Sequence, residues 1–336
     1  MWRVWQPFWA LHERGYPVAW APGEALTPGS GAGWYQLHLI QRAGALPHQR
    51  APMARWFGRM RDAGKTVVYE CDDDLFTPFA PRQLKRRAPR GKSLQALEEE
   101  RLGALWVLER CDGVTVTTQA LASTVRRFTD APVEVVPNAP DVAWFDRLRP
   151  LARRTIPPPT IGWAGGGRPD ADLEQMGEAW RRIARRHPAV TFVVLGAKDD
   201  VLARYVPADR LVRLPWVNVL EYPLGLVDLD IGCCPLEDQP FNRCKSPIKA
   251  WEYALMGAAV VASPAVYSRV IRDGENGLLP ATAEGWEWAL SQLLEDDERR
   301  RAYQAALERD VRTRWSLEAN LWRWPAAWNR LWRGER

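Results

Sequence analysis

Lys245, Ser246, Lys249 and Glu252 stand close together in FNRCKSPIKAWEYALMGAAVVAS, residues 241 to 263. Ser246 is a favoured N-cap and Pro247 suits the first helical position, so a helix is predicted from there to about Met256, with Gly257 as its stop. Ile248, Trp251 and Leu255 form its buried stripe, and Lys249 and Glu252 lie three apart on another face. Free backbone N–H groups, the helix dipole and Lys245 together make an anion site. Glu252 lies about 9 Å further along the axis, close to the span from a diphosphate to the ribose hydroxyls of one nucleotide. The order of cation, helix start and carboxylate fits a nucleoside diphosphate laid along the helix. The alternative is ordinary surface decoration, with both lysines solvated and Glu252 without a ligand.

Such a helix needs a scaffold, and the chain alternates strand-like and helix-like segments on both sides of a proline-rich break. The first half reads WRVWQ, a helix near Phe8 to Arg14, PVAWA, YQLHLIQ, a helix near Pro52 to Ala63, TVVYEC, a helix near Ser93 to Arg110, GVTVTT, a helix near Gln119 to Phe128, and VEVVPN. LRPLARRTIPPPT follows as the linker. The second half reads TIGWAG, a helix near Asp170 to Arg186, TFVVLG, a short helix near Asp199 to Tyr205, LVRLPW, a helix near Val219 to Val227, LDIGCCPL, the helix from Ser246 to about Met256 and AVVAS. This pattern predicts two α/β domains with mainly parallel sheets. The expected boundaries are 1–150 for the first domain, 151–159 for the linker and 160–315 for the second. A Trp-rich helical tail, 316–336, breaks at Pro325 and packs back on the first domain.

With 336 residues, 46% hydrophobic and 26% charged, the chain has the size and composition of a two-domain globular protein. No run reaches membrane-span length, and the opening residues lack the order of a signal peptide. The five Cys show no C-x-x-C spacing and read as buried thiols in a reducing cytoplasm. The four His are scattered, which argues against a zinc site. Arg82 to Lys92 carries six cations and no acid, either a solvated loop or a patch for anionic lipid or phosphate. No nucleic-acid motif accompanies it, so no nucleic-acid partner is expected. Two of the six Lys, Lys245 and Lys249, fall within residues 241 to 263, where a point charge is wanted.

In open α/β sheets, ligands bind beyond the carboxyl ends of the strands. The unusual polar clusters fall there: DDD after TVVYEC, GGGRPD after TIGWA, KDD after TFVVLGA, and EDQPFNRCKS after LDIGCCPL. Gly165, Gly166 and Gly167 allow a backbone to approach a phosphate, and Arg168 adds charge. Their spacing is neither the dinucleotide fingerprint nor the P-loop.

Together IGWAGGG, DLDIGCCPLED, FNRCKSPIKAWEYALMGAAVVAS and VIRDGENGLL resemble the donor-binding domain of GT-B glycosyltransferases of the family 4, or group 1, type. The resemblance covers residues 160 to 280, and extends more loosely to VVYECDDDLF and VPNAPD. It implies two Rossmann-like domains facing a central cleft, and transfer of a sugar from a UDP- or GDP-linked donor to an acceptor hydroxyl, without cofactor or divalent metal. By that similarity Glu252 holds the ribose hydroxyls, and Lys245 and Ser246 the diphosphate, with Lys249 beside them. The Gly165 to Gly167 loop and Arg168 take the phosphates or sugar, and the main chain around Trp216 and Val217 takes the base. Many members carry a second glutamate near the sugar, where this chain has Cys244; Asp238, or the backbone of Phe241 and Asn242, is expected in its place. Lys245 then stabilises the leaving diphosphate.

Asp72, Asp73 and Asp74 keep three readings: a capped turn, an acceptor-side base contributed by Asp72 and Asp74, or the D-x-D metal pair of a different glycosyltransferase class. A catalytically inactive GT-B-like binding or assembly module is the other class of function carried forward. The expected setting is cytoplasmic, with peripheral membrane contact through residues 82–92.

Overall fold

The computed structural model describes residues 3–19, 35–78, 93–166, 170–196 and 201–333. The chain divides into two compact units, the first comprising residues up to Asn138 with Arg243–Ser246 and the segment from Asn320, the second Ala139–Asn242 with Pro247–Ala319. The basic stretch 82–92, Gly167 and Arg168 lie outside the described residues.

In the first unit β1 (Leu37–Gln41), β2 (Thr66–Cys71), β3 (Gly113–Val116) and β4 (Val133–Val135) form a parallel sheet in the order β1-β2-β3-β4. Parallel neighbours require crossovers, which the helices Pro47–Asp62, Leu94–Leu108 and Gln119–Val125 provide. Ser93 and Thr118 cap two of them, their hydroxyls accepting the Ala96 and Leu121 amides. Val67, Tyr69, Phe76, Leu108, Val114 and Leu121 centre the core, which also takes in Cys244.

The N-terminal segment departs from expectation. WRVWQ reads as a strand, yet a helix runs Trp5–Glu13. Phe8 and Leu11 anchor it: Phe8 meets Trp324 and Trp328 edge to face at 6.0 and 5.2 Å, and a helix is what lets residues three apart face one partner. Residues 17–19 form no strand, and the rest of PVAWA lies outside the described residues. In the tail the interruption falls at residues 321–322 rather than at Pro325, because Pro325 sits in the first turn of the helix Arg323–Arg333, where its missing N–H costs nothing. Beneath Trp324, Arg3 forms a two-pronged pair with Glu70 at 2.5 and 2.8 Å, both side chains buried. Thr115 and the Val136 carbonyl complete that cluster.

In the second unit β5 (Thr160–Ala164), β6 (Thr191–Leu195), β7 (Leu211–Leu214), β8 (Ile231–Cys234) and β9 (Ala259–Ala262) run parallel in the order β7-β6-β5-β8-β9. The strand sequence therefore reverses between β5 and β8. That reversal opens a crevice beyond their carboxyl ends. β5, β8 and β9 are buried along their whole length, as continuous apolar strands covered on both faces should be. The predicted helix 170–186 is two helices, Asp170–Glu174 and Gly177–Arg186, with the Tyr205 ring against Gly177 at their junction. Of the helices expected near 199–205 and 219–227, the described residues form 3₁₀ turns at Leu202–Arg204 and Tyr222–Asp228, while residues 199–200 lie outside the described residues. Residues 154–160 are fixed to the start of β8: Asp228 accepts the Thr155 and Ile156 amides, and Arg154 grips Asp230 with two nitrogens.

All five cysteines are buried and unpaired by disulfides. No helix of the described residues is long and apolar enough to cross a membrane.

Candidate functional site

The crossover from β8 to β9 contains the helix Ile248–Met256. It ends as predicted, at Gly257 with φ 99°, a conformation natural to glycine. Its start differs. The boundary residue is Pro247 rather than Ser246, and no side chain caps it. Ser246 Oγ instead accepts a hydrogen bond at 3.1 Å from Asn138 Nδ2 within the first unit. Its neighbour Cys244 is also held there: Thr118 Oγ1 donates to the Cys244 carbonyl at 2.9 Å, and the thiol lies 3.7 Å from Thr124 Oγ1. Lys245, half-buried between them, belongs to the same segment.

Glu252 is not surface decoration. It is 7% exposed, on a helix whose residues Ala250–Met256 are all buried. Burial pushes its carboxyl up to about 7, against the Lys249 ammonium and the Tyr222 hydrogen bond, which favour the charged form. A buried carboxylate is costly unless something compensates it. It lies one helical turn beyond Lys249 and beside Tyr222.

Lys249 and Tyr253 reach the end of β5 from the same helix. Lys249 Nζ donates to the Ala164 carbonyl and sits 4.5 Å from the Trp163 ring centroid. Tyr253 Oη accepts the Ala164 amide at 2.8 Å. Gly232 makes this reach possible, since a Cβ there would collide with the Tyr253 ring. At the turn that follows, a Cβ on Gly165 would run into Lys249 Nζ, and one on Gly166 would lie 3.1 Å from the Trp216 indole. Trp216, 53% exposed, also covers Gly196 and tilts against Tyr222 at 6.3 Å. Thus Gly165, Gly166, Trp216, Lys249 and Glu252 belong to one neighbourhood with Tyr222 and Tyr253. Val217, half-buried, follows Trp216.

The loop after β8 borders the same crevice. The Glu237 amide donates to Asp172 Oδ1 at 3.0 Å, tying this loop to the helix after β5. Asn242 is fully buried, its Nδ2 donating to the Glu237 carbonyl at 2.9 Å, while Asp238 is exposed and Phe241 half-buried. Tyr222, Tyr253 and Asp172 were not singled out from sequence; the glycine in the middle of β8, facing an aromatic on the next helix, was the available signal.

In the first unit, Asp74 Oδ1 accepts the Phe76 and Thr77 amides at 3.1 and 3.0 Å, a turn-closing carboxylate. Asp72 and Asp73 instead face Arg42 Nη1 at 3.1 and 3.3 Å. Among the described residues no group of three or more His, Cys, Asp or Glu side chains gathers as a metal site.

Residues 158–296 match the family model of glycosyl transferases group 1. The matched segment is 139 of the chain's 336 residues. It contains β5 to β9, the glycine turn and the Ile248–Met256 helix. The chain is 26% identical over 210 residues to TuaH of Bacillus subtilis (strain 168), a glycosyltransferase assigned to teichuronic acid biosynthesis. That match covers 59% of this chain and spans about half, 50%, of the curated relative. Among solved structures, sucrose-phosphate synthase from Thermosynechococcus elongatus superposes with TM-score 0.60 at 16% identity, over 90% of this chain and 75% of that one. HepE of Anabaena, in complex with UDP-glucose, gives 0.59 at 16% identity, over 89% and 80%. S. aureus TarM, in complex with UDP and α-GlcNAc-glycerol, gives 0.57 at 14% identity, over 79% and 51%. The solved structures that the chain superposes on place its fold among the GT-B glycosyltransferases.

Proposed function

We propose that this protein transfers a sugar from a nucleotide-diphosphate sugar to an acceptor hydroxyl, without a divalent metal. The observation that carries the reading is Glu252: a buried carboxylate on the helix that follows the reversal point of a parallel sheet, one helical turn beyond the lysine whose ammonium lies against the glycine turn. There Glu252 would hold the ribose hydroxyls and Trp216 with Val217 the base. As the glycosidic bond breaks, negative charge grows on the diphosphate. Lys245, Ser246 and Arg168 are the groups of this chain assigned to receive it, with the amides of the Gly165 to Gly167 turn. Asp238, with the Phe241 and Asn242 backbone, would contact the sugar, and Asp72 would orient the acceptor hydroxyl. HepE and TarM, seen with UDP-glucose and UDP respectively, support a uridine donor. The buried thiols fit a reducing, cytoplasmic setting, and the basic stretch 82–92 remains the candidate for peripheral membrane contact.

A second reading, a GT-B-like binding module without turnover, is favoured by one observation. Cys244 occupies the position of the second glutamate of the resembling enzymes, and its side chain is a thiol buried in the core of the first unit rather than a carboxylate. The two readings part in one experiment: UDP- and GDP-linked sugars labelled in the sugar are incubated with the protein and EDTA, and released nucleoside diphosphate is measured. Release from one donor family, lowered about 100-fold in Lys245→Ala, supports transfer. Tight donor binding with no release at any acceptor tried would establish the binding module instead.

A further inference from the structure

We infer that Lys249 is a positioning residue, whose ammonium holds the Ala164 carbonyl and thereby the glycine turn, and which supplies the fixed cation one helical turn before Glu252. The inference deepens the donor-site reading and rests on it for its bearing on transfer.

Three observations converge. First, Lys249 Nζ donates to the Ala164 carbonyl while the Tyr253 hydroxyl accepts the Ala164 amide, so both polar groups of that residue are gripped by side chains of one helix. Second, the ammonium fills the space that a Cβ on Gly165 would occupy, and lies 4.5 Å from the Trp163 ring centroid. The glycine at 165 is thus explained by the lysine head as well as by access to a phosphate. Third, Gly165 donates its own amide to the Leu195 carbonyl at 3.0 Å, so the turn is tethered to β6 on one side and to Lys249 on the other.

Lys249 is also the cation acting on Glu252. The other titratable groups facing that carboxyl are Tyr222 from the 3₁₀ turn, Cys234 from β8 and Tyr253 from the same helix. Burial raises all three, Cys234 to about 12, so they remain neutral over the range in which Glu252 titrates. An ammonium committed to a backbone carbonyl and an indole face is placed to set geometry and charge.

The test uses ligand-free full-length protein carrying ¹³C-carboxyl glutamate, with the Glu252 resonance assigned by its loss in Glu252→Gln. In wild type the carboxyl is expected to titrate at about 7. In Lys249→Met the midpoint is expected to rise by about one pH unit, and the Gly165 amide to exchange about ten times faster. An unmoved midpoint together with unchanged Gly165 exchange overturns the inference. If Lys249→Met does not fold, Lys249→Arg decides: the cation is kept but not the fit under Gly165, so the midpoint stays and exchange quickens, whereas unchanged exchange contradicts the positioning role. Because no nucleotide is present, failure of the donor reading appears separately, as absent nucleotide-sugar binding by a protein whose Glu252 still responds to Lys249.

Discussion

Replacing Glu252 by Gln should make the protein more stable at alkaline pH. In the unfolded chain this carboxyl ionises at its ordinary 4.5, whereas in the fold burial holds it to about 7. Between those values the unfolded state binds fewer protons than the native state, so stability falls as pH rises through the window and levels off above it. At about 1.4 kcal/mol for each tenfold change, the penalty above pH 8 amounts to roughly 3 kcal/mol. Below pH 4 both states are protonated and the penalty vanishes. Gln keeps the volume and an acceptor for the Tyr222 hydroxyl, and carries no charge to desolvate. Urea denaturation at pH 5 and pH 8.5 measures the difference directly: the variant should gain roughly 3 kcal/mol over wild type at the higher pH and about 0.8 kcal/mol at the lower. A difference that is the same at both pH values, or a variant less stable than wild type at pH 8.5, would refute the reasoning. A stabilising loss of charge is what a site maintained for a ligand should show.

Three further outcomes are expected. Gly232→Ala drives a methyl into the Tyr253 ring and should cost about 3 kcal/mol, read by urea denaturation; an unaltered midpoint would mean that Tyr253 does not lie across β8. Asp74→Ala removes the acceptor for two amides and should cost about 1–2 kcal/mol, whereas Asp72→Asn should leave stability within about 0.5 kcal/mol and lower transfer. Equal stability losses in the two would show that Asp72 is structural as well. Arg3→Leu leaves Glu70 buried without its partner and should cost about 3–5 kcal/mol, with a smaller loss when Glu70→Leu is combined with it; simple addition of the two losses would contradict a coupled pair.

Local chemistry made much of the framework readable. β2, β5, β6 and β8 each appear in sequence as short apolar runs ending in polar clusters, because both sheet faces are covered and polar residues gather at the carboxyl ends. Gly257 announces the end of the site helix, and Glu252 is singled out by its distance from a lysine-bearing helix start. What escaped depends on distant pairs. Ser246 has the chemistry of a cap, but Asn138, 108 residues earlier, takes its hydroxyl, and that competition cannot be read locally. Lys249 reads as a surface cation until Ala164, 85 residues away, places a carbonyl against it. The N-terminal WRVWQ alternates like a strand, and only the packing of Phe8 against the tail tryptophans selects a helix. Cys244 reads as a departure from a donor site and is in fact part of the first unit's core.

Calorimetric titration of UDP, GDP and their sugars, in EDTA, against wild type and Glu252→Ala tests the central claim most directly. One nucleotide family should bind wild type and bind the variant about 100-fold more weakly, which would locate the ribose at Glu252. Binding of equal strength to both proteins, or binding that appears only when Mn²⁺ replaces EDTA, would contradict it.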